Sequence, residues 1–312
     1  MSEKILVLGS SGQIGTDLVE TLRDNYGADN VIASDLRQPS AERLAQGPFE
    51  TLNALDAKAA FDIIKKHNVT QVYHLVAMLS ATAEKMPLKG WDLNMQSLFN
   101  FLEMAREKHF NKMYWPSSIA AFGPNTPRDN TPQLTVMDPG TVYGISKLAG
   151  ELWCEYYFKK YGVDTRGLRY PGLISYKTEP GGGTTDYAVD IFHKAAKDQD
   201  YTCYLGADSS LPMMYMPDAI KATIGIMEAP AEQVKIRTSY NVGAFSFNPE
   251  ELAAAIRREK PNFKMDYNID SRNEIAKGWP SSIDDSVARE HWNWQPDFSL
   301  EAMVKDMLKN LA

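Results

Sequence analysis

The sequence predicts an α/β chain, a doubly wound parallel sheet followed by a smaller α/β region. Three observations predict it. A continuous apolar run, Ile5–Leu8, passes through Gly9, Gly12 and Gly15 into a stretch with apolar residues at Ile14, Leu18 and Leu22, the spacing of one helix face. Apolar runs then alternate with helix-patterned stretches as far as residue 168, which implies parallel strands joined by right-handed crossovers. Beyond residue 198 the alternation becomes irregular, as expected of a lid over the carboxyl edge of the sheet. Residues 1–172, with a returning segment near 213–245, are expected to form the larger unit, and 173–312 the smaller, interleaved one.

In chain order, the glycine turn comes first. Gly9 and Gly12 let the backbone turn tightly and approach a ligand, and Gly15 lets the following helix pack against the strand. The free N–H groups at that helix start, which include Gln13 and Ile14, attract a pyrophosphate. Residues 31–34 read as a second buried strand ending at Asp35, 20 residues after Gly15. A Rossmann-type unit places a carboxylate there on the adenosine ribose hydroxyls. That carboxylate would repel a 2′-phosphate and so favours NAD over NADP; Arg37, two residues on, is the neighbour able to pair with a phosphate instead. Leu36 and Arg37 are expected to flank the adenosine.

Residues 38–48 read as a loop, 51–56 as a short segment and Ala57–His67 as a helix. Leu55 and Asp56 fall where an adenine can be met, and Asp56 equally fits the N-cap of that helix. Residues 69–77 form the next strand; its end, Leu75, Val76 and Ala77, and the following Ser80 lie at the carboxyl edge where such sheets bind ligands. A long helix over 91–109 carries Asn94.

A strand over 112–118 ends in Ser117-Ser118, and Tyr143 arrives 25 residues after Ser118. Lys147 follows four residues later on a helix predicted over Val142–Tyr161, so the two side chains share a face. An ammonium beside a phenol stabilises the phenolate and lowers its pKa from about 10, as a general base requires. A strand over 164–168 leads into Arg169-Tyr170-Pro171-Gly172. The run Gly181-Gly182-Gly183-Thr184-Thr185 fits either a flexible turn or a cradle of N–H groups and hydroxyls for a small polar ligand, with Asp186 placed to balance an ammonium.

The remaining readings are helices over 187–197, 218–228, 248–259 and 299–311, and strands over 201–205, 239–242 and 264–267. Met213, Met214 and Met216 are pocket wall or core, with core favoured. Trp279 either closes a pocket or packs within the lid, and Trp292 and Trp294 are structural.

Composition narrows the function classes. A net charge of −7 over 312 residues, with Arg and Lys scattered, argues against nucleic acid or an anionic membrane as the main partner. The two cysteines, Cys154 and Cys203, lack metal-ligand spacing and read as buried thiols without a disulfide; no metal is expected. No apolar run approaches the roughly 20 residues of a membrane span, and the N-terminus enters the first strand with no signal peptide, so a cytoplasmic protein is expected.

Through Gly9-x-x-Gly12-x-x-Gly15, Asp35, Ser117-Ser118 and Tyr143-x-x-x-Lys147 the chain resembles the extended short-chain dehydrogenase/reductases over essentially its whole length. That resemblance implies NAD as cofactor, Ser118 orienting the reacting oxygen beside Tyr143 and Lys147, Asn94 holding an active-site water and the lysine backbone, and the Tyr170 segment touching the nicotinamide carboxamide. Nucleotide-sugar epimerases of the family read Arg-Tyr-Phe-Asn where this chain has Arg169-Tyr170-Pro171-Gly172. The stretches 115–123, 170–175, 181–187 and 279–286 are instead similar to the short-chain-type L-threonine 3-dehydrogenases. The resemblance implies oxidation of the L-threonine β-hydroxyl to L-2-amino-3-oxobutyrate, with Ser80, Ser118, Tyr143, Gly183, Thr184, Thr185 and Trp279 around the substrate. It also implies a homodimer built as a four-helix bundle from the helices beginning near Trp91 and Val142. The alternatives are an NAD-retaining nucleotide-sugar epimerase or dehydratase, for which Arg237, Arg257 and Arg258 are the available diphosphate-binding cations, and a non-catalytic NAD-binding regulator.

Overall fold

The structure is a computed structural model that describes residues 3–178 and 183–312. Its first half contains β1 (Ile5–Leu8), α1 (Gln13–Tyr26), β2 (Val31–Asp35), α2 (Ala41–Ala45), β3 (Phe49–Thr51), α3 (Ala57–His67), β4 (Gln71–His74), α4 (Ser80–Lys85) and α5 (Pro87–Arg106). Next come β5 (Lys112–Tyr114), β6 (Ser117–Ser118), α6 (Val142–Tyr161), β7 (Asp164–Arg166), β8 (Leu168–Tyr170) and β9 (Gly172–Ile174). The second half contains α7 (Tyr187–Ala196), β10 (Tyr201–Cys203), β11 (Leu211–Tyr215), α8 (Met216–Glu228), β12 (Tyr240–Asn241) and β13 (Phe245–Phe247). The chain ends with α9 (Pro249–Glu259), β14 (Met265–Tyr267), α10 (Ser271–Lys277), α11 (Ser286–Trp292) and α12 (Leu300–Leu311).

Among the described residues a six-stranded sheet runs β3-β2-β1-β4-β5-β7, parallel throughout. One face is covered by a core that includes Ile63, Leu98, Phe101 and Tyr157 from α3, α5 and α6. The other is covered by Leu18, Leu22, Ile220 and Trp292 from α1, α8 and α11. Apolar side chains on both sides explain the uninterrupted hydrophobic runs of its central strands. A third core, built around α7, α9 and α12, holds β9 and β11 and reaches Trp279. The segment from α8 to β12 rejoins the first half: α8 packs against α1, and β12 pairs with β8.

Several predicted elements are corrected. The strand over 69–77 is ordered as a ladder only from Gln71 to His74, leaving Leu75 to Leu79 as an irregular edge. The helix placed at 91–109 begins at Pro87, where the missing N–H is no loss, and ends at Arg106, before Lys108 adopts a positive φ of 64°. The strand over 112–118 breaks after Tyr114, because Pro116 cannot donate to the ladder; Ser117–Ser118 resumes pairing in a separate sheet with β8 and β12. The strand over 164–168 likewise divides into β7 and β8, and the second piece carries Tyr170 to the ligand edge. The loop over 38–48 contains α2, capped by the Ser40 hydroxyl.

Met213, Met214 and Met216 are core: β11 is buried on both faces, and none of the three lines the main cavity. Trp292 and Trp294 pack against each other within the core, with ring centroids 5.9 Å apart. Both cysteines are free and buried. Among the described residues no helix is long and apolar enough to cross a membrane, and no cluster of His, Cys, Asp and Glu is arranged to hold a metal ion.

Candidate active site

A cavity of about 770 Å³ opens along the carboxyl edge of the sheet. Gly9, Gly12, Gln13, Ile14 and Gly15 form one end, Leu75, Ala77 and Tyr170 its middle, and Ser80, Ser118, Tyr143, Lys147 and Trp279 the other, joined there by Gly183, Thr184 and Thr185. Residues predicted from separate motifs therefore share one space. Arg37 also lines it, whereas Asp35, Leu36, Leu55, Val76 and Asn94 do not. Of the two readings of Asp56, the N-cap is seen: its carboxylate accepts from Ala59 N at 2.9 Å and caps α3, and the residue is not among those lining the cavity. Gly181 and Gly182 lie outside the described residues.

The glycine end fits a dinucleotide. Gly9 has φ +76°, and a Cβ on Gly15 would sit 2.2 Å from the Gly9 carbonyl oxygen and 2.7 Å from Ser10 Cα. The start of α1 has neither a side-chain cap nor an acidic residue in its first turn, so its N–H groups remain available to an anion. Gln13 Nε2 is buried there without a hydrogen-bond partner. At the next strand end, Ser11 N and Arg37 N donate to the two oxygens of Asp35, at 3.1 and 3.0 Å, which fixes the carboxylate toward the loop. The Arg37 guanidinium lies 3.7 Å from the same carboxylate. Its charge is thus directed to Asp35, in keeping with NAD rather than NADP.

At the other end, Tyr143 and Lys147 leave one face of α6, and Ser118 comes from β6. Lys147 Nζ donates to the Pro116 carbonyl at 2.6 Å and lies 4.3 Å from the Trp115 ring centroid and 5.4 Å from that of Tyr143. The expectation that Lys147 lowers the phenol's pKa is corrected for the chain alone. Burial dominates and pushes Tyr143 up to about 12, with the Ser118 hydroxyl pulling the other way. Burial also pushes Lys147 down to about 7, opposed by Cys154 and Glu151. His74, buried behind the site, is driven down to about 4 and is neutral at ordinary pH.

The Lys147 pocket depends on a close approach at Gly150, where a Cβ would sit 2.3 Å from the Trp115 ring. Gly150→Ala is therefore expected to destabilise the fold by about 1–3 kcal/mol, although alanine favours helices. A chemical denaturation curve checks this; a variant as stable as the parent would remove the packing role assigned to Trp115.

Ser80 Oγ and Thr184 Oγ1 meet at 3.4 Å across 104 residues of sequence, both buried. Asp186 stands at the entry to α7, and its carboxylate accepts from Gly183 N at 2.7 Å, turning back toward the preceding loop. Trp279 joins both earlier readings, since it lines the cavity and packs in the third core. Tyr170 lines the cavity while its hydroxyl is bonded to Thr223. The Asn94 amide accepts from Met78 N at 2.7 Å and donates to Ser146 Oγ at 3.0 Å, bracing the irregular edge against α6.

The sequence reading missed Met78, Leu79 and Thr82, which line the cavity beside Ser80. Their signal was their place just beyond the end of β4. Among the described lining residues the cations are Arg37 and Lys147. Arg237 is bonded to Asp164, Arg257 to Glu250 and Arg258 to Glu301, so the cations required by the epimerase alternative are engaged elsewhere.

Residues 5–243 match the family described as NAD dependent epimerase/dehydratase. An uncharacterized epimerase/dehydratase of Staphylococcus aureus is 48% identical over 98% of this chain and 96% of its own length. Among solved structures, a GalE-like L-threonine dehydrogenase from Cupriavidus necator is 55% identical, with a TM-score of 0.97 over 99% of this chain and 100% of that one. A monomeric L-threonine 3-dehydrogenase from a metagenome is 44% identical, with a TM-score of 0.95 over 98% of each chain.

Proposed function

The chain belongs to the NAD dependent epimerase/dehydratase family, and from that premise we propose that it is an L-threonine 3-dehydrogenase, oxidising the β-hydroxyl of L-threonine to give L-2-amino-3-oxobutyrate. The observation that carries this reading is the shared cavity. Ser118, Tyr143 and Lys147 lie at one end of a dinucleotide cradle, beside a pair of buried hydroxyls, and among the described lining residues the cations are Arg37 and Lys147 alone.

The residues lining the glycine end, with Asp35 behind them, hold NAD. When bound, NAD⁺ supplies the hydride acceptor for C3 and a positive charge that lowers the Tyr143 pKa. Tyr143 takes the proton of the β-hydroxyl as the C3–H bond breaks. Ser118 donates a hydrogen bond to the same oxygen and fixes its direction. The ammonium of Lys147 stabilises the phenolate form of Tyr143. Ser80, Thr184 and Thr185 grip the carboxylate and ammonium of the amino acid, and Trp279 walls the space in which its methyl group sits.

Thr184→Ala is expected to raise the KM for L-threonine about tenfold or more, the loss of a hydrogen bond to a charged group, with the NAD dissociation constant unchanged. Steady-state kinetics together with calorimetric NAD titration check this. An unchanged KM would remove the hydroxyl pair from substrate binding.

The same reading includes a homodimer. Leu88 and Trp91 on α5 and Ile145, Leu152, Trp153 and Tyr156 on α6 are large apolar side chains left exposed on two helices that pack together. Pairing this face with a second copy gives a four-helix bundle and covers the patch. Leu152→Glu is expected to convert a dimer into monomers in sedimentation velocity, and a parent protein already monomeric at micromolar concentration would contradict it. The buried free thiols of Cys154 and Cys203 suit a cytoplasmic location.

A further inference from the structure

We propose that Glu151 is a positioning residue for this site: it grips Ser117 from behind and thereby fixes the short Trp115–Ser118 segment that holds both Lys147 and Ser118. The inference rests on the dehydrogenase reading of the cavity.

Three contacts carry it. Ser117 Oγ donates to Glu151 Oε1 at 2.5 Å, inside the protein. One residue before Ser117, the Pro116 carbonyl accepts the Lys147 ammonium at 2.6 Å. One residue after it stands Ser118; Pro116, Ser117 and Ser118 all line the cavity, with the Ser117 hydroxyl turned to Glu151. Successive strand side chains take opposite faces, so with Ser118 toward the ligand Ser117 faces α6. Glu151 lies one helical turn beyond Lys147 on α6, so the helix that carries the lysine also fixes the segment on which that lysine is anchored.

The carboxylate is itself immobile. Arg169 donates to it from Nε at 2.9 Å and from a terminal nitrogen at 2.7 Å, and both side chains are almost fully buried. The other terminal nitrogen of Arg169 donates to the Gln133 carbonyl at 2.9 Å and to Asn241 Oδ1 at 3.1 Å. Gln133 Oε1 in turn accepts from Asn241 N at 2.8 Å. Glu151 is thereby tied to the loop before α6 and to β8 and β12. A buried ion pair is a poor route to stability alone, since desolvating both charges offsets much of their attraction. Here the pair lies directly behind the segment that presents two reacting groups, and β6 pairs with β8 at Ser117 opposite Arg169.

The ionisable groups facing Lys147 are Tyr143, Glu151 and Cys154 on its own helix and His74 from β4. Burial holds the Cys154 thiol far above its usual range and His74 down to about 4, so both are neutral near pH 7. Glu151 therefore supplies the negative charge that favours the Lys147 ammonium.

The test compares Ser117→Ala, which cuts the grip and keeps the ion pair, with Glu151→Gln and the double variant. The readouts are kcat, KM, the NAD dissociation constant, melting temperature and amide hydrogen exchange of residues 114–119 without substrate. Ser117→Ala is expected to lower kcat about tenfold and to speed exchange in that segment, with KM and NAD affinity within about twofold of the parent, the size of change given by misplacing a reacting group. Glu151→Gln is expected to lower kcat at least as far and to move the alkaline limb of the kcat profile to lower pH, since losing the carboxylate weakens the hold on the Lys147 proton. The double variant should be no worse than Glu151→Gln. A Ser117→Ala enzyme with parental kcat, or unchanged exchange over 114–119 in both single variants, would overturn the proposal. Inactivity of the parent toward L-threonine would instead overturn the reading of the reaction, and exchange over 114–119 would still decide the positioning role.

Discussion

Tyr143→Phe is expected to lower kcat by about 10²–10⁴-fold while NAD affinity and melting temperature stay close to those of the parent. The phenol is buried, with the Ser118 hydroxyl as the hydrogen-bonding group that acts on its ionisation, so removing one oxygen disturbs a single hydrogen bond and keeps the ring packing. What is lost is the acceptor for the substrate proton. The pH dependence follows from the same burial. A base held up at about 12 is protonated at neutral pH, so activity in the parent is expected to rise as pH climbs above 7. The charge on the oxidised cofactor brings the apparent midpoint down from that value. Lys147, held down at about 7, loses its proton over the neighbouring range and limits how far the rise continues. Residual activity of Tyr143→Phe should lack the rising limb. Stopped-flow rates across pH for the two proteins decide it, and a Phe variant with the parent's profile would remove Tyr143 from proton transfer.

Gly15→Ala is expected to weaken NAD binding by at least about 100-fold, on the order of 3 kcal/mol, and to destabilise the chain as well. The added methyl would meet the Gly9 carbonyl oxygen at 2.2 Å and Ser10 backbone atoms within 2.9 Å. All three obstacles are main chain, so no side-chain rotation relieves the clash. Either α1 moves away from β1 or the turn that presents the N–H groups is displaced; each spoils the anion cradle. Calorimetric titration of NAD against the variant, with a melting curve beside it, measures both effects. Parental affinity would show that the pyrophosphate does not rest on this turn.

The parts of the molecule legible in the sequence are those with local causes. The glycine turn is one, because Gly9 and Gly15 answer to constraints within a few residues of chain. Asp35 is another, ending β2 where its spacing predicts. The pair Tyr143 and Lys147 shares a helix face, which the spacing alone gives.

What escaped depends on distant packing. Ser80 and Thr184 are placed near one substrate by the family resemblance alone; their contact across 104 residues forms only when α4 and the entry to α7 fold over the same edge, which no local pattern shows. β11 contains Pro212 and is buried on both faces, so neither alternation nor turn residues marked it. The break at Pro116 was readable, since proline lacks the ladder N–H, but the flanking β-favouring residues carried the strand reading across it. The direction of the Tyr143 shift is not legible in sequence, because its spacing to Lys147 is local whereas the desolvation that raises its pKa belongs to the assembled cavity.

The most direct measurement is NADH formation by the purified protein with NAD⁺ and L-threonine, run beside L-allo-threonine, L-serine, NADP⁺ and a UDP-sugar. Rapid NAD⁺ reduction with L-threonine, little with NADP⁺ and none with the sugar is the expected result. No reduction with L-threonine, together with conversion of the sugar at constant NADH, would contradict it and assign the Ser118, Tyr143 and Lys147 set to an epimerase.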